Sequence, residues 1–170
     1  FNRFRRYQLN KKAQIQVRKH HPWVFQGNLS SAASIFSNGT WLQLFDGKND
    51  TVGFGVFSCE DSVSIRVFHF GESLRNRFFF KLLREAWKAR ESLVPETNAI
   101  RLVNGEADRL PGITVDLYDS VAVIQYYSTS LYRLARLVSL LLPHVLPEPF
   151  ARSIYVRSAN RMGQTASEKP

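Results

Sequence analysis

Only one cysteine, Cys59, occurs in 170 residues, so no disulfide can close within the chain and no thiolate cluster can hold zinc or an iron–sulfur centre. Four scattered histidines make no metal-ligand spacing either. No apolar run approaches the ~18 residues needed to span a bilayer, and the beginning of the chain lacks a signal-peptide core. These absences point to a reducing cytoplasm. In that setting Asn28-Leu29-Ser30, Asn38-Gly39-Thr40 and Asn49-Asp50-Thr51 are turn chemistry rather than glycosylation acceptors. No strand runs through a glycine-rich turn into a helix of the kind that cradles a nucleotide, and no serine nucleophile elbow is present.

Acid is missing as well, but only locally. Residues 1–45 hold seven Lys or Arg and no Asp or Glu, which leaves 16 bases against 14 acids in the rest of a chain whose net charge is +9. A basic block beside a folded region marks a polyanion partner, because Lys and Arg neutralise phosphates and release counterions. Charge alone leaves a solvated terminus equally open.

The remainder is built to fold. Hydrophobic residues make up 44% and aromatics 13%, and a chain of this length can bury roughly 70% of its unfolded surface. Three runs, Trp41–Phe45, Thr51–Phe57 and 62–69, alternate with the two-residue period of half-buried strands. Asp46 to Asp50 is a turn by composition, and Gly53 and Gly55 allow curvature or the close approach of another backbone. After Gly71 the period changes: Phe79, Leu82, Leu83, Ala86 and Trp87 mark one face of a helix expected from near Ser73 to before Pro95. Its other face carries Arg75, Arg77, Lys81, Arg84, Lys88 and Arg90, open to solvation or to RNA.

Strands are expected at 99–103, Ile113–Tyr118 and 121–127, with Leu110-Pro111-Gly112 as a type II turn. A second helix, Leu131 to Val145, is kinked or ended by Pro143, and a last strand at 153–156 precedes a polar exit at Met162 to Pro170. The fold class is α+β, with a β-rich domain over 1–72 and a mixed domain with two helices and about four strands over 73–170.

Two segments could carry chemistry. In Arg18-Lys19-His20-His21-Pro22-Trp23-Val24-Phe25, cations stand beside large aromatics, and single-stranded RNA recognition uses that combination; Trp23 and Phe25 are expected rather in the core, which leaves the cations as the stronger RNA candidates. The candidate RNA-binding set is Arg5, Arg6, Lys11, Lys12, Arg18, Lys19, His20, His21, Trp23 and Arg66. The second segment, Arg101 to Asp116, is rich in carboxylates. Glu106, Asp108 and Asp116 match no calcium loop, and they are expected to accept backbone hydrogen bonds and to pair with Arg101 or Arg109 rather than to form a metal or hydrolytic site. Cys59 has no cationic neighbour motif and is expected to be inert.

His21-Pro22-Trp23-Val24-Phe25, the curved strands, Arg101-Leu102-Val103-Asn104-Gly105-Glu106, Leu110–Tyr118 and Ile154–Ser158, in that order, resemble the RlmI-like family of S-adenosylmethionine-dependent rRNA cytosine-C5 methyltransferases. The resemblance covers nearly the whole chain. It implies an N-terminal PUA domain, a small RNA-binding β-barrel, followed by a central α+β domain, with structured large-subunit rRNA as partner and neither DNA nor a membrane. The family's Rossmann-like domain, its S-adenosylmethionine loop and its catalytic cysteine lie beyond the matched part. No catalytic, cofactor or metal residue is therefore assigned here, and catalysis is not expected from this chain alone. A stand-alone PUA-type RNA-binding or ribosome-assembly module is the alternative. One departure stands out: the family usually has glycine where this chain has Arg109, which enters positive φ less easily, so the loop is reshaped or the Arg adds an RNA contact.

Overall fold

A computed structural model describes residues 4–75 and 77–159. Two sheets carry the fold. The first holds β1 (Arg5–Gln8), β2 (Trp23–Phe25), β3 (Trp41–Phe45), β4 (Thr51–Phe57) and β5 (Val63–Phe70) in the order β1-β3-β4-β5-β2. Only β1 and β3 run parallel; the rest of the ladder is antiparallel. Its edge strands β1 and β2 are not paired to each other, so the sheet is open rather than a closed barrel. The second sheet has the order β6-β7-β8-β9, from β6 (Ala99–Asn104), β7 (Ile113–Tyr118), β8 (Val121–Tyr126) and β9 (Ser153–Ser158). Helix α1 (Lys11–Arg18) follows β1, α2 (Phe78–Lys88) joins the sheets, and α3 (Tyr132–Leu141) carries the chain from β8 to its parallel neighbour β9.

The three aromatic strand runs form as their alternation predicts, and in the turn between the first two it is Asn49 that takes positive φ. Gly53 and Gly55 serve close approach: an added Cβ would stand 2.8 Å from the His69 carbonyl and 2.7 Å from that of Arg66, so β5 could not lie where it does. Both faces of this sheet are covered. Ile65 and Val67 pack with Ala13 and Val17 of α1, whereas Phe54, Val56 and Phe68 join Phe79 and Leu83 of α2 and Val115 and Ile124 of the second sheet in one core.

Helix α2 is shorter than expected. Ser73 is drawn back to β5, its carbonyl bound by His69 Nε2 at 2.9 Å. At the other end Arg90 leaves helical geometry and turns its guanidinium onto the Ala86 carbonyl at 3.2 Å and Asp108 at 2.7 Å, a cationic C-terminal cap. Helix α3 ends at Leu141, where Pro143 leads a short 3-10 turn. The second sheet has its expected strands, while the polar exit from Met162 lies outside the described residues. Among the described residues no helix is long and apolar enough to cross a membrane.

Candidate nucleic-acid interface

The acid-free front of the chain folds into β1, α1 and β2, and sequence reasoning saw its charge but not these elements. The signal for α1 was present: Asn10 caps it by accepting from the Ala13 N–H at 2.9 Å, and Ala13 and Val17, one turn apart, are its buried face. Eight residues with two apolar anchors are too short for periodicity to register.

Burying Ala13 and Val17 leaves Lys11, Lys12, Arg18 and Lys19 exposed. Lys11 and Lys12 occupy the first turn, where no acid is present and where the positive end of the helix dipole disfavours them. Arg5 and Arg6 are exposed on β1 beside buried Tyr7. The Arg6 guanidinium lies 4.1 Å over the Phe45 ring and donates to Asn49 at 2.6 Å, which fixes its direction.

Arg18 is exposed but engaged, because it pairs with the buried carboxylate of Asp46. Asp46 also accepts from the backbone N–H groups of Lys48 and Asp50, both at 2.9 Å. The Asp50 N–H above all, helped by Arg18, holds its carboxyl below the usual range against the opposing effect of burial.

His20 takes positive φ, with its ring 4.9 Å from that of Phe70. His21 Nδ1 lies 3.2 Å from the Trp23 backbone N–H. Along β2 the side chains alternate: Val24 is in the core, Trp23 is half-buried and Phe25 is exposed, so the two aromatics stand on the side away from Val24.

Arg66 departs from this surface set. It shares its strand face with Phe68, which the second sheet covers, and is 8% exposed. Its guanidinium donates to Asp61 at 3.0 Å and to the Val63 carbonyl at 3.1 Å. Burial pushes the Asp61 carboxyl up, but hydrogen bonds from Ser128 and Ser58 and the Arg66 charge outweigh it and hold it low. Alternation alone puts Arg66 on a strand face, and the cover over that face comes from distant chain.

The two signature segments meet at the junction of the sheets. Trp23 donates its indole N–H to Glu106 at 2.9 Å, and both border a cleft of about 360 Å³ with Arg66, Asn104 and Tyr127. The other carboxylates are engaged structurally. Asp116 holds Arg101 through two bonds of 2.8 and 3.1 Å, and Asp108 accepts from the Asn104 N–H and from Arg90, both at 2.7 Å. Arg109 pairs not with these acids but with Glu85 of α2 at 2.6 Å. Among the described residues no three His, Cys, Asp or Glu side chains converge as a metal site. Cys59 is exposed.

The described residues do not fit an S-adenosylmethionine site. Two strand-to-helix turns lie on parallel connections, Leu9-Asn10 after β1 and Tyr127 to Leu131 after β8, and neither contains the glycine that lets backbone approach such a ligand. The second is filled instead by the Ser128 and Ser130 hydroxyls, 2.6 Å apart.

The PUA-like domain family matches residues 8–70. A ribosomal RNA large subunit methyltransferase I from Alteromonas mediterranea is 37% identical over 116 residues, covering 66% of this chain and 29% of that protein. The Escherichia coli protein of the same name (strain SMS-3-5) is 32% identical over 138 residues, covering 78% of this chain and 35% of its own length. The chain thus spans about a third of these relatives. Among solved structures, a SAM-dependent methyltransferase from Streptococcus mutans superposes with a TM-score of 0.74 at 17% identity, over 90% of this chain and 40% of that one, which speaks to fold alone. Residues 8–70 thus form a PUA-like domain, and over most of its length the chain is homologous to about a third of the ribosomal RNA large subunit methyltransferase I proteins.

Proposed function

We propose that this chain is the RNA-engaging portion of an S-adenosylmethionine-dependent rRNA cytosine-C5 methyltransferase that acts in the cytoplasm. Residues 1–72 dock structured large-subunit rRNA, and residues 73–170 position a catalytic domain that also supplies the cofactor site. The observation that carries this reading is the placement of Lys11 and Lys12. Both sit exposed in the first turn of α1, against the helix dipole and with no acid in that turn, where a merely solvated helix gains nothing from them. A phosphate backbone neutralises both and supplies the anion that a helix N-terminus favours. Arg5, Arg6 and Lys19 extend the same charge, and Trp23 and Phe25 offer rings to an unpaired base.

The test is binding of a large-subunit rRNA fragment across a potassium chloride series. The variant Lys11→Ala/Lys12→Ala/Lys19→Ala is expected to flatten the log–log salt slope by about 2, at roughly 0.7 to 0.9 for each phosphate contact. Arg18 is left out because its removal would strand the buried Asp46 carboxylate. Binding that ignores salt, or no binding at low salt, would remove the proposal.

A further inference from the structure

The second strongly charged surface lies on other elements. A cleft of about 560 Å³ between the end of β5 and α2 is lined by Arg75, Arg77, Lys81 and Arg109, with His69 and Phe78 as its aromatic wall. Glu85 is the acid on that wall. Arg109 holds Glu85 at 2.6 Å, while Lys81 reaches it only at 3.6 Å, so the one carboxylate is largely taken by the cation across the cleft. Among the described residues neither Arg75 nor Arg77 has an ion-pair partner. Four cations therefore face one acid in a concave site, an arrangement whose mutual repulsion an anion relieves.

The backbone adds to this field. Arg77 is the N-cap of α2 without a side-chain cap bond, and no acid stands in the first turn, so the positive end of the helix dipole adds to the field of the cations. His69 and Phe78, with ring centroids 4.9 Å apart, are half-buried and leave ring surface for a ribose or base.

We infer that this cleft is a second RNA-backbone site, on the α2 side of the molecule, and that Arg109 completes it. The inference rests on the RNA reading above and extends contact to the half of the chain taken there as a positioning element. Arg109 contributes twice: it adds a cation of its own, and by engaging Glu85 it leaves Lys81 available to a phosphate. The partner is a single-stranded or helix-flanking stretch of RNA, because phosphate contacts and a ring platform are found together.

The experiment uses the whole chain and a fluorescein-labelled RNA hairpin with a single-stranded tail, read by anisotropy at several potassium chloride concentrations. Arg77→Ala/Lys81→Ala is expected to flatten the salt slope by about 1.5 and to weaken binding about 10-fold at low salt, while Arg77→Lys/Lys81→Arg restores both. Arg109→Gly guards against a folding artefact, since glycine suits the backbone at that position; it should flatten the slope by about 1.5, because its own contact is lost and Glu85 is released to Lys81. If Arg77→Ala/Lys81→Ala and Arg109→Gly bind as the unaltered chain does, the cleft is a solvated face and the inference falls. In that case a loss confined to the α1 lysine variant still supports the first reading. An unaltered chain that does not bind the hairpin overturns both.

Discussion

Trp23 and Glu106, 83 positions apart, are joined by an indole N–H to carboxylate hydrogen bond of 2.9 Å. It ties the second strand of the PUA-like sheet to the turn that follows β6 of the other sheet. The bond holds the indole by its edge, so what Trp23 can offer a base depends on a residue of the other sheet. Glu106→Ala should lower stability by about 1 kcal/mol, less than the ~1.5 kcal/mol or more of a shielded bond to a charged group, because the contact is exposed. Glu106→Gln keeps an acceptor and should lose less. Denaturant midpoints of the two variants check the order, and equal midpoints would show that the bond is not held in solution.

Arg109 sits at φ +58° and ψ +26°, in the left-handed region. A non-glycine residue there carries about 1 kcal/mol of backbone strain, whereas its exposed ion pair with Glu85 returns a few tenths at most. Arg109→Gly is expected to raise stability by about 0.5 kcal/mol, seen as a higher melting temperature, while weakening RNA binding. A gain in stability joined to a loss of affinity is the signature of a residue kept for contact rather than for folding.

Gly112 tests the turn that precedes β7. Its φ of +75°, after Pro111 and with the Ile113 N–H bound to the Leu110 carbonyl at 3.0 Å, is the third position of a type II turn. An added Cβ would stand 2.7 Å from buried Leu131 Cδ1 and 3.1 Å from Arg66 Nε. Gly112→Ala therefore combines strain with overpacking and should cost about 2 kcal/mol or more, measured by urea unfolding. Loss below about 0.5 kcal/mol would mean that Leu131 and Arg66 yield freely.

What sequence could and could not disclose follows from range. The strands from Trp41 to Phe70, the turn at Leu110-Pro111-Gly112 and helix α3 are specified by neighbours within a few residues, and period and turn chemistry expose them. The partners of charged side chains are set by distant chain. Arg66 reads as a cation on a strand, and only the second sheet packing over Phe68 makes it a buried partner of Asp61. Arg18 reads as a free phosphate ligand, yet it neutralises Asp46, 28 positions away. The basic cleft at α2 was half legible, since Arg75, Arg77 and Lys81 stand in one run, but the arrival of Arg109 across it is a tertiary fact.

The acid limb of stability carries the last prediction. Asp46 and Asp61 both have carboxyls held below their ordinary range, so the folded state binds their protons less readily than the unfolded chain does. Their contribution is therefore complete above the ordinary aspartate range near 3.8 and is lost as pH falls toward the lower folded values. Asp46→Asn removes the Arg18 pairing together with one of the two protons, so the variant should be less stable at neutral pH and show a shallower loss of stability between about pH 5 and pH 2. Melting temperatures across that range, for the variant and the unaltered chain, should converge at the acid end. Parallel curves would mean that Asp46 titrates normally and that its loop is held by packing instead.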